Sequence, residues 1–166
     1  MRKGLTEIVF ILDKSGSMSG LEADTIGGCT ALLDAMGGAI HHIGNVYKYA
    51  REEDRPEKTI FVITTDGQEN ASSEYSYEKI QKLVKHQSEK YGWEFIFLGA
   101  NIDAFSEAER LGIRRDRAVR YECDAAGTAI NFSVLSSTIC DVRKGKKMKA
   151  NWSADITEHY NKTNER

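Results

Sequence analysis

Three short runs of β-branched and aromatic residues, held apart by long amphipathic stretches, limit what this chain can fold into more than any other feature. They cover residues 7–12, 59–64 and 93–98. Each is too short for a helix and apolar at consecutive positions, which is the pattern of a strand covered on both faces. A fourth and weaker run, residues 118–121, alternates apolar and polar side chains as an edge strand does.

The intervening stretches read as helices. Residues 30–50 carry Leu32, Leu33, Met36, Ile40, Ile43 and Tyr47 at three- and four-residue intervals. Gly37, Gly38 and Gly44 weaken that helix by about 1 kcal/mol each relative to alanine, so packing has to hold it. Residues 75–91 place Ile80, Leu83, Val84 and Gln87 on one face, and Gly92 supplies a stop. Asp103 is a good N-cap for a short helix closed by Gly112. Residues 125–142 turn Ile130, Val134, Leu135, Thr138 and Ile139 inward. Alternating strand and helix predicts an α/β chain, Rossmann-like, with helices on both sides of a mainly parallel sheet.

Composition narrows the function classes. A net charge of -2 offers no basic excess to neutralise phosphates, which speaks against nucleic acid as a partner. No apolar run reaches the ~20 residues that cross a bilayer. The start, Met1-Arg2-Lys3-Gly4, lacks a cleavable-signal pattern, and Cys29, Cys123 and Cys140 fit neither a disulfide framework nor a zinc site. A cytoplasmic protein with thiols packed as small apolar residues is expected.

In parallel α/β sheets, ligands bind beyond the carboxyl ends of the strands. The first strand runs into Asp13-Lys14-Ser15-Gly16-Ser17-Met18, and the second into Thr64-Thr65-Asp66-Gly67-Gln68-Glu69-Asn70. Asp13, Ser15 and Ser17 are spaced two apart, so in an extended loop one carboxylate and two hydroxyls project to one side. An all-oxygen set with few charges suits a hard cation that keeps some water, Mg2+ or Mn2+. Calcium would recruit more carboxylates, and zinc would want His or Cys. Taken alone, the first loop could also be a turn with Asx and Ser caps that needs no metal.

These residues resemble the metal-ion-dependent adhesion site of von Willebrand factor type A domains. The D-x-S-x-S loop of that family is matched by Asp13, Ser15 and Ser17. Its later threonine is matched by Thr30, and its aspartate after a central strand by Asp66. The resemblance implies a metal held by Asp13, Ser15, Ser17, Thr30 and Asp66, completed by an Asp or Glu carboxylate from a protein partner. Lys14, Met18, Glu69 and Asn70 would form the rim that meets that partner. The chain departs from the family at one place. Only 16 residues separate Asp13 from Thr30, where the family has a helix and an edge strand pair. Removing a closed excursion leaves a valid crossover and a sheet of about four strands in the order 1-2-3-4. It also leaves the first strand as an apolar edge. Cover is expected from a second copy of the chain, from the C-terminal tail or from another chain.

Other readings are weaker. Phosphoaspartate-forming phosphatases also begin with an aspartate after a first parallel strand, but they place a second carboxylate where this chain has Ser15. A Mg-dependent hydrolase is therefore a distant alternative, and a structural or self-associating domain with an empty metal site a nearer one. His41 and His42, about 100° apart on a helix, cannot share a metal. Residues 1–143 are read as one domain, followed by a tail over 144–166. That tail is first basic, then amphipathic through Trp152, Ile156 and Tyr160.

Overall fold

The computed structural model describes residues 2–13, 31–67 and 71–165 of the 166. Four strands form one sheet: β1 (Arg2–Asp13), β2 (Pro56–Thr65), β3 (Glu94–Gly99) and β4 (Ala118–Arg120). Their order is β1-β2-β3-β4 and every neighbour pairs in parallel, as the sequence predicts. Helix α1 (Leu32–Tyr49) connects β1 to β2, α2 (Tyr77–Tyr91) connects β2 to β3, and α3 (Ala104–Arg110) connects β3 to β4. Two more follow, α4 (Ala125–Arg143) and α5 (Ala154–Asn164). No helix among the described residues is long and apolar enough to cross a membrane.

Strand side chains alternate between two faces, and each face has its own core. Ile11, Phe61, Ile63, Phe95 and Phe97 pack with Leu32, Met36 and Ile40 of α1, Ile80 and Val84 of α2, and Ala104 and Ala108 of α3. Ile60, Val62, Ile96, Leu98 and Val119 pack on the other face with Val134, Leu135, Ile139 and Val142 of α4 and with Trp152 and Ile156. Two cores flanking one sheet explain why the strand runs are apolar at consecutive positions.

Local signals set the helix ends. Ser76 caps α2 by accepting from the Lys79 amide, and Gly92 ends it at φ +67. Asp103 and Asp124 cap α3 and α4 by accepting from the amides of Ser106 and Gly127. The C-terminal segment docks at the β4 side of the sheet. There Trp152 Nε1 donates to the Asp116 carbonyl at 2.8 Å, and His159 Nε2 lies 3.2 Å from Asp124 Oδ1. The tail therefore does not cover β1, which lies at the opposite edge. One further expectation is corrected. Cys123 and Cys140 are exposed, because the first sits in the turn after β4 and the second on the outer face of α4.

Gly37 has a packing reason that its helix propensity hides. A Cβ there would meet the Tyr75 ring at 2.4 Å, whereas at Gly38 and Gly44 it would meet nothing within 4 Å. Gly37→Ala should destabilise the fold by about 1–3 kcal/mol through overpacking. Gly38→Ala and Gly44→Ala should each stabilise it by up to ~1 kcal/mol. Urea unfolding of the three variants checks this, and a stabilised Gly37→Ala would refute the contact.

Candidate functional site at the carboxyl rim

Parallel pairing brings the ends of β1 and β2 to the same level, with Asp13 directly opposite Thr65. The Thr65 hydroxyl donates to Asp13 Oδ2 at 2.6 Å and also lies 2.9 Å from the Gly67 carbonyl. One hydroxyl has one proton, and the charged acceptor makes the stronger bond, so Asp13 holds it when ionised. Thr65 is 0% exposed, which leaves its hydroxyl little freedom to turn elsewhere. Asp66 follows at once and is 8% exposed. A carboxylate on each of two neighbouring strand ends thus stands at one rim.

The third and fourth strand ends add residues that the motif does not name. Asn101 follows β3 in the left-handed region at φ 58, a conformation that asparagine tolerates better than most residues. Its side-chain amide reaches the Asp66 carbonyl at 3.5 Å. The Thr65 carbonyl accepts from the Ala100 amide at 2.9 Å, and the Gly99 carbonyl from the Tyr121 amide at 3.1 Å. Tyr121 is buried, and burial first, then Cys123 and the charges of Asp66 and Asp13, push its hydroxyl above the usual phenol range. Reading the ends of all four strands, rather than the first two, would have found Asn101 and Tyr121.

The segment after Asp66 is tied to α1. Asp34, in the first turn of that helix, accepts from the amides of Ser73, Glu74 and Tyr75 at 2.9, 3.0 and 2.9 Å. Its own amide donates to Ser72 Oγ at 3.1 Å. These backbone donors, Ser73 foremost, hold the Asp34 carboxyl below its ordinary value. The clamp fixes the return from the rim against the start of α1.

Of the residues expected at the site, Asp13 ends β1 and Asp66 directly follows β2, the neighbouring strand. Ser15, Ser17, Thr30, Lys14, Met18, Glu69 and Asn70 lie outside the described residues. The oxygen donors that are described suit a hard divalent cation. Among the described residues no group of three or more His, Cys, Asp or Glu side chains is placed to hold a metal. His41 is exposed, with Nδ1 bonded to the Tyr75 hydroxyl at 2.6 Å.

Because the folded Asp34 carboxyl titrates below its ordinary value of 3.8, its contribution is present above that value and is lost as pH falls through the lower folded one. Asp34→Ala should remove that acid-side dependence and speed hydrogen exchange at Ser73, Glu74 and Tyr75; unchanged exchange would show that the clamp is idle. No family model, curated protein or solved structure compared with this chain matches it.

Proposed function

We propose that the chain is a protein-binding module of the von Willebrand factor type A kind, not an enzyme, that grips a partner's carboxylate through a bound Mg2+ or Mn2+. The observation that carries this reading is that Asp13 and Asp66 lie at the ends of two adjacent strands, with the Thr65 hydroxyl on Asp13. Two carboxylates offset the charge of a divalent cation, and Ser15, Ser17 and Thr30 would add hydroxyl oxygens without adding charge. One position is then left for an Asp or Glu from the partner, which replaces water with a charge-assisted bond. Lys14, Met18, Glu69 and Asn70 would surround that position. A cytoplasmic setting goes with this reading, because Cys123 and Cys140 are free and exposed, as thiols remain in a reducing compartment.

The test is calorimetric titration of Mg2+ and Mn2+ into the intact chain. Asp13→Ala and Asp66→Asn should abolish binding while circular dichroism stays native. Thr65→Val, which keeps the shape and removes the hydroxyl that orients Asp13, should weaken the cation by about 10-fold or more. Undiminished affinity in either aspartate variant would refute the site. A chelator should release any captured partner from wild type.

A further inference from the structure

The amino ends of the strands, opposite the rim, hold a second concavity. Its volume is about 600 Å³, inside the range of about 300–1,000 Å³ common to small-molecule sites. It lies between the second half of α1 and the end of α2, and the start of β2 and Trp93, just before β3, complete its lining. Every residue that lines it is described. The α1 wall follows from spacing. His41, Gly44, Asn45 and Lys48 fall three and four residues apart and so share one stripe of the helix. Gly44 leaves a gap in that stripe, since a Cβ there would meet nothing within 4 Å.

Aromatic rings supply much of the remaining surface. Trp93 is buried and stacks on Phe61, while Tyr47 meets it edge-on with ring centroids 5.8 Å apart. Tyr91 is exposed at the mouth. The polar groups narrow the ligand further. Lys48 and Arg55 are offset by Glu52 and Glu57, so the lining favours neither sign of charge. The Tyr47 hydroxyl lies 2.9 Å from Thr59 Oγ1, and burial above all pushes it up to about 12, which keeps it uncharged. One polar atom is left over. Gln87 Oε1 is enclosed, and no donor reaches it among the described residues. An acceptor shut away from water without a donor leaves its desolvation uncompensated. The terminal torsion of glutamine is soft, so this oxygen can turn toward a donor that enters the cavity.

We propose that this cavity binds a neutral, planar ring compound that carries one N–H or O–H donor. The ring packs beside Tyr47 and Trp93, in the offset or edge-on contacts that aromatic groups prefer. The donor bonds to Gln87 Oε1 and supplies the partner that this atom lacks. Gly44 provides the room, because any larger residue at that place in the stripe would fill the space the ring occupies. The site shares no residue with the carboxyl rim and does not rest on the cation reading, so it is tested with chelator present.

The probe is indole, with 1-methylindole as the analogue that lacks the donor, each titrated into the full chain in EDTA and followed by amide NMR shifts. Saturable shifts are expected at Gly44, Tyr47, Gln87 and Trp93, with a Kd for indole on the order of 1 mM. 1-Methylindole should bind about 5-fold more weakly. Indole-3-acetate and tryptamine, the anionic and cationic derivatives, should each bind more weakly than indole. Gln87→Leu, which removes an acceptor that already lacks a partner, should bring indole and 1-methylindole to equal affinity. Gly44→Leu enters open space and improves helix propensity, so it should keep native circular dichroism and bind neither probe. Should that variant not fold, the two-probe comparison in wild type and Gln87→Leu decides. The proposal would be overturned by any of four results: no saturable shift at those residues up to the solubility of indole, equal affinity of the two probes for wild type, tighter binding of a charged derivative, or a folded Gly44→Leu that still binds indole.

Discussion

The parallel ladder between β1 and β2 fixes almost everything that matters at the rim. It runs without interruption from Thr6 opposite Lys58 to Asp13 opposite Thr65. A one-residue slip would turn Ile11 out of the core and swing Asp13 to the other face, so register and site chemistry are a single choice. The core on the α1 face enforces that register, since Ile11, Phe61 and Ile63 must all enter it together. Thr65 then meets Asp13 because the ladder sets them opposite each other, not because either seeks the other.

Around that pair the remaining strand ends act as a fixed frame. The Ala100 and Tyr121 amides bond to the carbonyls of Thr65 and Gly99, so each strand end is tied to the residue just beyond its neighbour. Asn101 takes up a left-handed conformation where β3 leaves the sheet. Asp34 holds the backbone of residues 73–75 against the first turn of α1. The Thr65 hydroxyl on Asp13 and the Asn101 amide on the Asp66 carbonyl keep the rim polar. Fixed donors of this kind cost little reorganisation when a charged ligand arrives.

The two faces of the sheet are loaded unequally. Three helices cover the α1 side, and α1 reaches β1 itself. On the other side α4 and the C-terminal segment concentrate over β2, β3 and β4. Among the described residues no helix is seated over Phe10 and Leu12, which are about half exposed, and the C-terminal segment places its apolar Trp152 and Ile156 beside β4. The strand keeps the composition of a buried element in the position of an edge.

Much of this was legible in the sequence. Apolar runs bounded by polar strand ends gave the strands, three-four spacing gave the helices, and Gly92 and Asp103 marked boundaries through bonds within a few residues. Such features depend on neighbours along the chain. What lay beyond them depends on residues far apart in sequence. Gly37 faces the Tyr75 ring, Asp34 clamps a loop 39 to 41 residues away, and Thr65 reaches Asp13 across 52 positions. The aspartates were marked by their place after apolar strands, but their shared rim came from strand order and register. Sequence alone determined which residues could be strand, helix or oxygen donor, because those are local preferences. Tertiary structure alone decided which of them meet, and which apolar side chains were left without a neighbour, because packing assigns each helix to one face only.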